Sequence, residues 1–134
     1  MAGELILIVE DNDKNLKLVR DVLQYKGYRT LEAGKGADAI AIAGAEKPDL
    51  VLMDIQLPDM DGITALRALR AGAVTSAIGV IALTAFAMKE DQAKFIAAGF
   101  DGYIAKPIDI RLFPEQVREF CERRQQEGRD GATP

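Results

Sequence analysis

Histidine is absent from these 134 residues. That excludes a histidine-based catalytic triad, a histidine zinc site and any role as a histidine phospho-carrier. A phosphoryl group arriving from phosphohistidine would have to come from another protein. Cysteine occurs once, at Cys121, so no internal disulfide can form, and a lone thiol reads as a small packing or tail residue. No apolar run approaches the ~20 residues needed to span a bilayer. The opening MAGELILIVEDN lacks a basic leader and meets carboxylates after a short apolar stretch, as a strand does and a secretory signal does not. Positive charge is in the minority, with 17 Lys and Arg against 21 Asp and Glu. This argues against nucleic acid as the main partner, because phosphate binding needs a basic surface. These absences together point to the cytoplasm. The length suits one domain with a single core, and 49% hydrophobic with 28% charged residues is ordinary for a globular chain.

What is present is a recurrence. Four apolar runs each end on a polar residue suited to chemistry: LILIV on Glu10-Asp11, LVLM on Asp54, VIAL on Thr84, and YIA on Lys106. Short apolar runs read as strands buried on both faces, as in a parallel sheet. Residues just past the carboxyl ends of such strands converge on one crevice. The helical segments fit between them. One begins near Asn12 or Asp13 and places Leu16, Val19, Val22 and Leu23 on a face, stopping at Lys26-Gly27. A second strand covers about Tyr28–Glu32. A second helix carries Ala37, Ile40, Ala41 and Ala43 and ends before Pro48. The third helix points Ile63, Leu66 and Leu69 inward, the fourth runs about Lys89–Ala98 to a Gly99 stop, and the fifth repeats Phe113, Val117, Phe120 and Cys121. Alternating βα units with short loops predict a doubly wound, five-stranded parallel sheet with helices on both faces. The packed domain is expected over 1–122, with 123–134 a polar helix end fraying into disorder.

The crevice would gather three carboxylates, which repel one another by several kcal/mol per pair at ~4 Å and an intermediate dielectric. Lys106 offsets one charge. A divalent cation with hard oxygen ligands offsets two more, and magnesium (Mg2+) suits one or two carboxylates plus phosphate oxygens. Asp11 and Asp54 are the expected direct ligands, with Glu10 direct or through water; the alternative is that one carboxyl keeps its proton. Asp54 is the candidate nucleophile, able to form an aspartyl phosphate. The Thr84 hydroxyl and the Lys106 ammonium can each bind a phosphoryl oxygen. Pro107 keeps Lys106 out of the helical region and aimed at the pocket, and a cis bond there costs little.

Glu10-Asp11, Leu50–Asp54 followed by Leu57-Pro58-Asp59-Met60-Asp61-Gly62, Leu83-Thr84-Ala85, and Lys106-Pro107 resemble, in order and spacing, the receiver domain of two-component response regulators. The resemblance runs from about Glu4 to Phe120. It implies a flavodoxin-like (βα)5 fold of strand order 2-1-3-4-5. It also implies phosphorylation of Asp54 by a sensor histidine kinase or a histidine phosphotransfer protein. Magnesium would be held by Glu10, Asp11, Asp54 and the backbone carbonyl of Gln56. Thr84 and Tyr103 would form a switch pair, read by a downstream protein on a surface with candidates Phe86, Lys94, Phe95, Tyr103, Phe113 and Gln116. A phosphoryl group adds ~1.5 to 2 negative charges and three acceptor oxygens, enough to bias a two-state loop.

The expectation is a stand-alone receiver, monomeric or weakly dimeric, resembling single-domain regulators of the chemotaxis or cell-cycle type, because only a polar tail follows the fifth helix. A receiver taken from a hybrid kinase or larger regulator is the alternative. A haloacid-dehalogenase-like phosphatase also uses an Asp after a parallel strand, but it wants an acid two residues on, where this chain has Gln56. No phosphate-binding glycine loop is present to support a nucleotide-binding module.

Overall fold

The computed structural model describes the backbone of residues 3–85 and 88–132, and side chains through 123. Strands and helices alternate: β1 (Leu5–Val9), α1 (Asp13–Tyr25), β2 (Arg29–Ala33), α2 (Gly36–Glu46), β3 (Leu50–Asp54), α3 (Gly62–Ala71), β4 (Gly79–Thr84), α4 (Lys89–Ala98), β5 (Gly102–Ala105) and α5 (Phe113–Ala132). All strand pairs are parallel, in the order β2-β1-β3-β4-β5. This is the expected doubly wound sheet.

Alternation along the strands splits the core in two. Leu7, Val9, Val51, Met53, Val80 and Ala82 face α2, α3 and α4, joining Ala39, Ala43, Leu66, Leu69, Phe95 and Phe100. Ile6, Ile8, Leu50, Leu52, Ile81, Leu83 and Ile104 face α1 and α5, joining Val19, Leu23, Phe113, Val117 and Cys121. Because both faces are covered, β3 and β4 are buried at every position. That is why their sequences read as unbroken apolar runs.

Local signals end the elements where the sequence places them. The Asn12 side chain accepts from the Asn15 amide and caps α1. Gly27 at φ 90° and Gly99 at φ 113° close α1 and α4 in the left-handed region. In two elements the structure adds detail that the sequence pattern does not carry. In α2 the buried face is Gly36, Ala39 and Ala43, while Ala37 and Ala41 are exposed. A helix so rich in alanine carries no contrast from which to read its inner face. In α5 the helix continues past Glu122 to Ala132; the Arg, Gln and Glu residues there are good helix formers. Thr133 and Pro134 lie outside the described residues. Among the described residues no helix is long and apolar enough to cross a membrane.

Candidate functional site

Strand register assembles the site. Val9 pairs with Met53, Asp54 with Leu83, and Thr84 with Ala105. Glu10, Asp54, Thr84 and Lys106 are therefore brought side by side at the carboxyl edge of β1, β3, β4 and β5. They line one cleft of about 360 Å³ together with Asp11, Asn12, Asn15, Gln56, Leu57, Pro58 and Ala85. The Lys106 amide also donates to the Thr84 carbonyl at 2.8 Å, which extends the β4–β5 ladder to the rim. The Lys106–Pro107 bond is cis.

Glu10, Asp54 and Thr84 are buried, whereas Asp11 is exposed at the mouth. The Lys106 ammonium lies 2.8 Å from Glu10 Oε1 and 3.1 Å from Asp54 Oδ2. Burial pulls the Lys106 pKa down, but the hydrogen bonds and charges of Glu10 and Asp54 outweigh it and hold it above the usual lysine range. Asp54 Oδ1 accepts from the Gln56 amide at 3.0 Å. Both Asp54 oxygens are thus oriented, one by an ammonium and one by a peptide N–H. One carboxylate oxygen from each of Glu10, Asp11 and Asp54 lies within 4.8 Å of the others. Three hard oxygen donors at that spacing, with the Lys106 ammonium as the cation beside them among the described residues, fit a small divalent ion such as magnesium.

The loop after β3 is held from several sides. Gln56 and Asp61 bridge across its base, and the Gly62 amide donates to the Ile55 carbonyl at 2.7 Å. Asp61 caps α3 by accepting from the Thr64 amide; that N–H, followed by the Thr64 hydroxyl, keeps its carboxyl below the ordinary range. At the tip, Asp59 accepts from the Gly36 and Ala37 amides at 2.8 and 3.0 Å. Sequence reasoning gave Asp59 and Asp61 no individual role. Asp61 was legible as a cap one residue before a helix. The Asp59 link joins residues 23 positions apart, and no local pattern signals it.

The candidate partner residues fare unevenly. Lys94 is exposed on α4, and Gln116 and Tyr103 are half-buried. Phe95 and Phe113 are corrected to core: they are 4% and 0% exposed, one in each hydrophobic cluster. Their helices bury one face against the sheet, and these rings are on it. Phe86 lies outside the described residues.

The fold and site define a class: a doubly wound α/β domain with a buried acidic cleft at the strand ends, closed by a lysine on a cis-proline turn. The chain belongs to the response regulator receiver domain family, whose model matches residues 6–118. It is similar to the polar-differentiation response regulator DivK of Brucella anthropi, at 41% identity over 115 residues, covering 86% of this chain and 94% of that protein. It is also similar to the receiver domain of the sensor histidine kinase PA1611 from Pseudomonas aeruginosa, whose structure has magnesium coordinated in the active-site cleft. That structure is 34% identical with a TM-score of 0.82, covering 90% of this chain and 99% of that one. A CheY-like receiver from Methanospirillum hungatei superposes with a TM-score of 0.83 at 30% identity, covering 94% and 99%.

Proposed function

We propose that this protein is a stand-alone receiver that takes a phosphoryl group onto Asp54 from a phosphohistidine donor and uses it to switch binding to a downstream protein. The observation that carries the reading is the Asp54 carboxylate, buried and oriented by Lys106 and the Gln56 amide, with Glu10 and Asp11 beside it. Magnesium, held by Glu10, Asp11, Asp54 and the Gln56 carbonyl, would neutralise carboxylate charge and gather phosphoryl oxygens. An Asp54 oxygen attacks phosphorus, the N–P bond of the donor breaks, and the electron pair stays on the departing imidazole. The chain has no histidine, so that imidazole belongs to a sensor histidine kinase or a phosphotransfer protein. Lys106 and Thr84 bind the incoming oxygens. Water later attacks the same phosphorus, the P–O bond to Asp54 breaks, inorganic phosphate leaves and the free carboxylate returns, so the protein promotes its own dephosphorylation without turning over a separate substrate.

Thr84 at the end of β4 and Tyr103 on β5 form the switch, with Lys94 and Gln116 on the readout side. The relatives support a single-domain form: the match covers 94% of the Brucella anthropi regulator, which leaves that protein little beyond its receiver. Polar differentiation in that regulator's name makes cell-cycle control the process to test first. The likeness to the PA1611 receiver favours the second reading, a receiver of a hybrid kinase; the Asp54 chemistry is the same in both. The working compartment is the cytoplasm.

The test is incorporation of labelled phosphate from a phosphorylated histidine protein or from acetyl phosphate. Label is expected on wild type with magnesium and absent from Asp54→Ala or without magnesium. Label that survives Asp54→Ala would refute the assignment.

A further inference from the structure

Asp59 stands outside the cleft, yet it holds one of the cleft's walls. Helix α2 begins without a cap of its own, because Lys35 at its N-cap position supplies no side-chain hydrogen bond. The orphan amides of its first turn are satisfied instead from the β3–α3 loop: Gly36 N donates to Asp59 Oδ1 and Ala37 N to Asp59 Oδ2. The neighbouring Met60 side chain fills the space beside Gly36. A Cβ at that position would meet Met60 Cγ and Sδ at 2.6 Å. Two consecutive loop residues therefore clasp one helix end.

The same loop supplies Gln56, Leu57 and Pro58 to the cleft wall. Its base is fixed by the Gln56–Asp61 bridge and by the Gly62 amide on the Ile55 carbonyl. Its tip, from Leu57 to Met60, is tied to another element by the two Asp59 hydrogen bonds. The Gln56 amide in turn orients Asp54. The path from α2 to the nucleophile is thus Ala37 and Gly36, Asp59, the loop, Gln56, Asp54.

We infer that Asp59 is a positioning residue of the metal site, holding the Gln56 peptide and the Asp54 carboxylate in register through its double hydrogen bond to the first turn of α2. This rests on the magnesium site proposed above. Nothing about Asp59 acts on a ligand directly; it limits how far the wall can move. The Ala37 and Gly36 N–H groups hold its carboxyl below the ordinary range, so the tether is intact at neutral pH.

The experiment is calorimetric titration of the whole chain with magnesium chloride, comparing wild type, Asp59→Ala, Asp59→Asn and Asp49→Ala. Asp49 accepts a backbone N–H from Leu5 at 2.8 Å at the opposite end of the sheet, so it reports the loss of a comparable bond far from the cleft. Asp59→Ala should bind magnesium on the order of tenfold more weakly, the low end of what loss of a ligand-orienting partner costs. Asp59→Asn should fall between wild type and Asp59→Ala, since its amide oxygen can still accept one N–H while its amide nitrogen cannot accept the other. Asp49→Ala should bind as wild type does. Wild-type affinity in Asp59→Ala overturns the inference. So does equal weakening in Asp49→Ala, which would mean general loosening, or weakening in Asp59→Asn as large as in Asp59→Ala, which would mean that the hydrogen bond Asn retains holds nothing. Wild type that fails to bind magnesium refutes the metal site itself, a separate failure visible before any variant is compared.

Discussion

Lys106 is placed where one ammonium serves two buried carboxylates, Glu10 at 2.8 Å and Asp54 at 3.1 Å, with only 19% of its side chain exposed. Removing it as Lys106→Ala leaves those anions facing each other. The expected cost is about 1–3 kcal/mol, less than a fully buried pair because solvent reaches the site. Magnesium should recover more stability in the variant than it adds to wild type, because it supplies the missing positive charge; thermal unfolding with and without the ion measures both. Cys121 is buried in the cluster under α1 and α5, and burial pushes its thiol from 9.0 up to about 12. The folded chain therefore keeps a proton that the unfolded chain releases. Stability from this group is complete below pH 9 and falls as pH rises towards 12, by roughly 1.4 kcal/mol per pH unit. Burial likewise raises Tyr28 to about 12, but from 10.0, so its effect begins later. Urea unfolding between pH 8 and 10 should show a downward slope in wild type that is absent in Cys121→Ala.

Among the elements, the junction of β3 and α3 is walled by backbone. A Cβ on Gly62 would sit 2.8 Å from the Asp54 carbonyl and 2.9 Å from Ile55 Cα, both backbone atoms that cannot swing aside. Gly62→Ala should push α3 off the strand, cost about 1–3 kcal/mol and weaken magnesium binding, as urea unfolding and calorimetry would show. Gly102→Ala is the contrast. Its Cβ would meet the Phe120 ring at 2.5 Å, and this is the far end of a half-buried side chain. The ring can turn away, so the loss should be smaller and the metal affinity unchanged.

At the scale of the whole molecule, one sheet with a core on each face carries every site residue, so metal binding should report on global folding. A ligand that binds only the folded state stabilises it by about 2.7 kcal/mol at a hundred times its dissociation constant. Asp11 is exposed, unlike Glu10 and Asp54. Asp11→Ala should therefore leave the unfolding midpoint without magnesium nearly unchanged while abolishing the upward shift that magnesium gives wild type. An undiminished shift would remove Asp11 from the ligand set.

The order of apolar runs and turn residues was enough to place the sheet, most element boundaries and the four strand-end groups. Burial on both faces forces continuous apolar runs, and the chain must turn polar where each strand leaves the core. β1 and α4 begin and end where their residues predict. Which side of α2 is buried emerged from packing alone, because an alanine-rich helix packs by backbone proximity and not by a visible stripe. The same holds for Phe95: a sequence shows that a ring is large and apolar, but not whether the sheet covers it; Phe113, by contrast, already stood on the apolar repeat of α5. The Asp59 tether was also beyond local reading. Its partners are amides, which every residue carries, and only folding brings those of Gly36 and Ala37 to within hydrogen-bond distance of a carboxylate on another loop.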